Sequence, residues 1–126
     1  MENYILRKYE NTDYEFVYEV KKNAYKKYVE QYRTYIIMFN DERIGFYQGQ
    51  VVNERTYYIE NICIILEYQG KGIGTEILKT VINAHSDKNI EIQYFKQNPV
   101  GNLYKKLGFE PNGETEFHYQ MIKRKN

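Results

Sequence analysis

Three glycines fall on alternate positions in the stretch EYQGKGIGTEIL, residues 67–78: Gly70, Gly72 and Gly74, with Gln69 just ahead of them. Glycine loses more freedom on ordering than any other residue, so three of the chain's eight glycines within five positions need a reason. The β-rich run TYYIENICIIL (56–66) precedes the loop. Ile73, Ile77, Leu78, Val81 and Ile82 follow at helical spacing and predict a helix over about 72–84. A helix start offers unpaired N–H groups and the positive end of the helix dipole, so the natural guest of such a loop is a phosphate. Two familiar phosphate loops fail. The dinucleotide pattern G-x-G-x-x-G meets Thr75 where its last glycine belongs, and the P-loop pattern fails because Lys71 is followed by Gly72. The spacing that is met is Q-x-x-G-x-G, through Gln69, Gly72 and Gly74.

The elements that must position this loop can be read from periodicity. YILRKY (4–9) suits a short first strand, and Thr12 or Asp13 caps a helix predicted over 13–31, with Val17, Val20, Ala24 and Tyr28 on one face. RTYIIMF (33–39), IGFYQGQVV (44–52) and the run 56–66 read as three consecutive strands joined by the turns NDER and NER. IEIQYF (90–95) is a further strand. NPVGNLYKKLG (98–108) is a short helix with Asn98 at its N-cap and Gly108 closing it, and FHYQMIK (117–123) is a last strand after the turn EPNGE. The order β-α-β-β-β-α-β-α-β predicts an α+β (α/β mixed-sheet) fold with residues 1–126 as a single domain.

Bulk properties narrow the function. Eighteen Lys and Arg against seventeen Asp and Glu leave a net charge of +1, which gives no global attraction to nucleic acid or to anionic membranes. No apolar window is long enough to span a bilayer, the N-terminus has no signal-peptide core, and the single Cys63 suits a reducing compartment. The expected location is cytoplasmic, with no nucleic-acid or membrane partner. His85 and His118 are isolated, so no metal site is expected.

NICIILEYQGKGIGTEIL closely resembles the coenzyme A loop of the GNAT family of N-acetyltransferases. A second segment, NPVGNLYKKLGF (98–109), is similar to that family's downstream helix: an Asn, a Tyr six residues on, then L-G-F. The resemblance implies the GNAT acyl-CoA N-acyltransferase fold and acetyl-CoA as cosubstrate, with transfer to a primary amine by direct attack in a ternary complex. It implies a pyrophosphate lying on the backbone of Gln69, Gly70, Lys71, Gly72, Ile73, Gly74 and Thr75. Main-chain groups of Ile62, Cys63 and Ile64 would hold the pantetheine arm and the thioester. Glu60 becomes the candidate base, Tyr104 the candidate acid, and Asn98 a further cofactor contact. Family members usually carry two helices between the first and second strands. EQYRTYIIMF leaves almost no room for the second, so the N-terminal helical region reads as shortened. The acceptor site is then open, or completed by another subunit in a homodimer.

Each assignment has a plainer counterpart. The glycine loop also reads as a tight strand–helix connection, Tyr104 as a core tyrosine among fifteen, Glu60 as a surface carboxylate and Cys63 as a small buried hydrophobe. The principal alternative function is a non-catalytic CoA-binding regulatory module of the same fold. A protein–protein interaction domain using exposed tyrosines is a third.

Overall fold

The computed structural model describes residues 4–21 and 33–125. Seven strands form one mixed sheet in the order β1-β2-β3-β4-β5-β7-β6. They are β1 (Ile5–Lys8), β2 (Arg33–Phe39), β3 (Glu42–Asn53), β4 (Thr56–Ile64), β5 (Asn89–Phe95), β6 (Glu110–Glu114) and β7 (His118–Lys123). Among the described residues three helices flank the sheet: α1 (Tyr14–Lys21), α2 (Ile73–Ala84) and α3 (Gly101–Lys106). β4 and β5 pair in parallel, and the β1/β2, β2/β3, β5/β7 and β6/β7 pairs are antiparallel. The β2–β3 hairpin closes on Asn40 and Asp41, whose φ values of 49° and 63° match the mirror-image turn that strand twist favours. Among the described residues no helix is long and apolar enough to cross a membrane.

Contacts gather into two compact units, Met1–Gly49 with Glu60–Leu78 and Gln50–Ile59 with Lys79–Asn126. In the first, Val17, Ile36 and Phe46 are fully buried, and Phe16, Val20, Met38 and Cys63 pack against them. Asp13 is buried at the head of α1. Arg7 donates to both its carboxylate oxygens at 2.8 and 2.9 Å, and the Glu10 N–H donates at 2.8 Å. A buried polar chain runs beside this core: Asn61 Nδ2 donates to Gln48 Oε1 at 3.1 Å, and Gln48 Nε2 donates to Thr34 Oγ1 at 3.2 Å. In the second unit the core is Tyr57, Ile59, Val81, Ile90, Ile92, Phe109, Met121 and Ile122.

The structure departs from the sequence expectations at three places. Asn98 is not the N-cap of the helix predicted over 98–108. That helix is α3, its N-cap position is Val100 without a side-chain cap, and Asn98 instead donates its N–H to Phe95 O at 2.9 Å in a turn. That turn occupies the stretch before Pro99, and the helix begins two residues after the proline. EPNGE is not a turn but the edge strand β6, where Pro111 costs no ladder bond and the register shifts between Pro111 and Gly113. The strand expected to reach residue 66 ends at Ile64, and a single 3-10 turn, Leu66–Tyr68, follows. α1 accounts for the first part of the helix predicted over 13–31. Residues 22–31, and with them the question of a shortened helical region, lie outside the described residues.

Candidate functional site

The first half of the site is the passage from β4 to α2. The Gln69 N–H closes the 3-10 turn on Leu66 O at 3.1 Å, and its side-chain Nε2 donates to Ile64 O at 2.7 Å. Gln69 is therefore spent on holding the turn. Helical bonding begins where the Glu76 N–H meets Gly72 O at 3.1 Å, so the N–H groups of Ile73, Gly74 and Thr75 take no acceptor within the helix. Gly70 and Gly72 have φ of +75° and +82°, which only glycine adopts cheaply. Gly74 has no such backbone demand. A Cβ there would meet nothing within 4 Å, so the glycine leaves open space beside a row of helix-start N–H groups. Glycine in a helix costs up to about 1 kcal/mol relative to alanine. The chain carries that cost with no packing reason of its own, and the cradle it leaves suits an anion at close backbone range. Lys71 lies with its ammonium 5.5 Å from the centre of the Tyr68 ring.

The second half is the end of β4 itself. A Cβ on Gly45 would lie 2.2 Å from Cys63 O, and the Ile65 N–H bonds Ile44 O at 2.9 Å. Cys63 and Ile65 thus turn their main-chain groups to β3, and in an extended strand Ile62 and Ile64 turn theirs to the opposite edge. The β4–β5 register runs from Thr56↔Asn89 to Ile59↔Ile92, while β4 continues to Ile64. Side chains alternate as well. Asn61 reaches Gln48 and Cys63 packs on the Val17 core, which sets Glu60, Ile62 and Ile64 on the other face. Glu60 is half-buried. A cleft of about 400 Å³ opens beside Ile64, Leu66 and Gln69, with Phe16 and Val20 as its apolar wall and Glu19 and Glu67 as its carboxylates. These α1 residues were missed in the sequence, although 16, 19 and 20 share the helical spacing that marks one face.

Tyr104 is described within the second unit. It is half-buried on α3, its ring 5.4 Å from Tyr94 in an edge-to-face arrangement and 5.9 Å from Phe109. Burial, helped by the neighbouring Tyr94, pushes its hydroxyl up to about 12. The hydroxyl therefore keeps its proton across the physiological range and can only donate it. Asn98 is exposed, three residues before α3.

A family model for the acetyltransferase (GNAT) domain matches residues 30–111 of this chain. The chain belongs to the GNAT acetyltransferase family. Within that family, a Bacillus subtilis (strain 168) protein described as a candidate [ribosomal protein bS18]-alanine N-acetyltransferase is 25% identical over 123 residues, 85% of this chain and 81% of the relative. A spermine/spermidine N(1)-acetyltransferase of the same organism is 31% identical over 70 residues, 52% of this chain and 46% of the relative. The fold matches a PaiA N-acetyltransferase of Thermoplasma acidophilum solved in complex with coenzyme A. Its TM-score is 0.74 at 17% identity, over 97% of this chain and 99% of the other. The GNAT match spans the β4–loop–α2 passage and α3 alike, so both motif segments lie within it.

Proposed function

We propose that residues 1–126 work as one GNAT N-acetyltransferase domain, moving the acetyl group of acetyl-CoA to a primary amine by direct attack in a ternary complex. The observation that carries the reading is the row of helix-start N–H groups beside Gly72 and Gly74, glycines that face open space. The pyrophosphate of acetyl-CoA rests on the N–H groups from Gly70 to Thr75, and Gln69 holds the turn that presents them. The thioester carbonyl takes hydrogen bonds from the Ile62 and Ile64 edge of β4, which stabilise the oxyanion as it forms, an effect worth about 3 kcal/mol per donor. CoA binding in the Thermoplasma relative supports the cofactor. The two Bacillus relatives are named for acetylation of different amines, an alanine of a ribosomal protein and a polyamine, which supports the acceptor class and leaves its identity open.

The acceptor amine, ordinarily protonated near neutral pH, gives a proton to Glu60, directly or through water, and its lone pair attacks the thioester carbon. The nitrogen of the tetrahedral intermediate gives its second proton to solvent, and the intermediate collapses with cleavage of the C–S bond, leaving a neutral N-acetyl amide and the CoA thiolate. Tyr104 donates a hydrogen bond to the departing thiolate. A hydroxyl held near 12 is a weaker acid than a thiol of about 8.5, so Tyr104 stabilises the thiolate chiefly by that bond, and water completes its protonation.

Calorimetry of acetyl-CoA against the wild type and Gly72→Trp tests the cofactor half, and release of free CoA across an amine screen tests the chemistry. Micromolar binding that the variant loses, with amine-dependent CoA release, supports the proposal. Binding without release under any amine points to the regulatory module instead. No binding at millimolar acetyl-CoA removes the whole reading.

A further inference from the structure

α3 is only six residues long, too short to be stable by its own hydrogen bonds, so the position of Tyr104 depends on what the helix rests against. Its N-terminal residue is Gly101. A Cβ there would lie 2.6 Å from the hydroxyl oxygen of Tyr94 and 3.4 Å from that ring's Cζ. The same Tyr94 ring meets Tyr104 edge-to-face at 5.4 Å and leans on Tyr119 at 5.7 Å. Glycine is unfavourable in a helix, and α3 is already marginal. What Gly101 provides is room for the tip of Tyr94 beneath the first turn, three residues ahead of Tyr104 on the same helix. Tyr94 also borders a cavity of about 470 Å³ that Tyr119, Met121 and Pro111 line, which gives the ring room to move.

We propose that Tyr94 is the positioning residue for Tyr104, and that Gly101 is a glycine in order to admit it. Wedged between the start of α3 and the Tyr104 ring, Tyr94 fixes where the Tyr104 hydroxyl points and keeps water from it. This inference rests on the reading of Tyr104 as the thiolate's hydrogen-bond donor.

The test is a clash and its relief. Gly101→Ala puts a methyl group against the Tyr94 hydroxyl and drives the ring toward the cavity. We expect kcat to fall about tenfold, while the Kd for acetyl-CoA stays within twofold. Tyr94→Phe removes the atom that clashes, so the double variant Gly101→Ala/Tyr94→Phe recovers kcat to within about threefold of the wild type. A second readout needs no turnover. In protein labelled with 13C at tyrosine Cζ, the Tyr104 resonance titrates near 12 in the wild type, at lower pH in Gly101→Ala, and at higher pH than in Gly101→Ala in the double variant, which restores the burial but not the charge of an ionised Tyr94. Unchanged kcat and unchanged titration in Gly101→Ala overturn the inference, as does a double variant that stays impaired in both. If Gly101→Ala does not fold, Tyr94→Leu takes its place and must lower both kcat and the Tyr104 titration. Tyr104→Phe is the control for the underlying reading. Full activity in that variant removes the role of Tyr104 in the reaction, whereas the NMR titration still decides whether Tyr94 positions it.

Discussion

Gln69 donates its side-chain N–H to the carbonyl oxygen of Ile64 at 2.7 Å, which ties the turn before α2 to the last residue of β4. The two halves of the proposed cofactor site, the glycine loop and the thioester-holding strand end, are thereby held in one register by a single side chain. Gln69→Leu keeps the bulk and loses the bond. The side chain is exposed, so the melting temperature should move by no more than a few degrees, while the Kd for acetyl-CoA rises about tenfold because the loop must be ordered on binding. Calorimetry beside a thermal melt checks it. A large drop in stability with unchanged affinity would make Gln69 a purely structural residue.

Gly74 offers a sharper separation of stability from binding. It sits in a helix with ordinary φ and open space beyond its missing Cβ. Gly74→Ala should therefore stabilise the free protein by about 0.5 kcal/mol, since alanine is the better helix former. The same methyl group occupies the cradle, and acetyl-CoA affinity should fall by an order of magnitude or more. Gly72→Ala behaves differently, because φ of +82° penalises any side chain and costs about 1 kcal/mol in the free protein as well. Denaturant melts and calorimetry on the two variants read both effects. Unimpaired binding by Gly74→Ala would show that no ligand approaches there.

Asp13 governs acid stability. Burial pushes its carboxyl up, but the hydrogen bonds from Arg7 and the Glu10 N–H, with the charges of Arg7 and Arg43, more than offset this and leave it below the usual carboxylate range. A depressed folded-state pKa adds stability that is present above the unfolded value of about 3.9 and is lost as pH falls below it. Arg7→Met leaves the buried carboxylate without its bidentate partner and should cost about 3 kcal/mol at neutral pH. It should also move the acid-unfolding midpoint to higher pH. Melts from pH 7 down to pH 2 follow both changes, and an unshifted midpoint would remove Asp13 from the account.

The β4–loop–α2 passage was legible in the sequence because its signals are local. Glycines with forced φ, a strand run and a helical apolar period each act within a few residues. The same holds for the hairpin at Asn40 and Asp41. Asn98 misled because its type and the following Pro99 both favour an N-cap, and only the turn that closes the Asn98 N–H on Phe95 O moves the helix start further along the chain. β6 was missed because Pro, Asn and Gly are turn residues by composition, and only pairing with β7 makes EPNGE a strand. That pairing joins neighbouring strands, yet the turn-rich composition of EPNGE hides it. The tie from Gln69 to Ile64 and the fit of Tyr94 against Gly101 were hidden for a different reason, since each depends on how the backbone folds back over a few residues and not on residue type.

Tyr104 yields the last prediction, on the alkaline side. Its hydroxyl is held near 12, above the usual value of about 10, by burial and by Tyr94. A folded-state pKa raised for an acid means the neutral form is favoured on folding. Its stabilising contribution is complete below about pH 10 and is lost as pH rises from there toward 12. Tyr104→Phe cannot ionise, so it should lose less stability than the wild type over that interval, even if it is the less stable of the two at pH 7. In activity, kcat should fall about 10- to 100-fold in Tyr104→Phe, the size expected for losing one hydrogen bond to the departing thiolate, with acetyl-CoA affinity nearly unchanged. The wild-type kcat should show no alkaline limb from Tyr104 below about pH 11. A descending limb near pH 9 that disappears in Tyr104→Phe would mean that the hydroxyl ionises far more easily than its burial dictates. It would then act in its protonated form as a general acid that yields its proton to the thiolate, rather than as a hydrogen-bond donor alone.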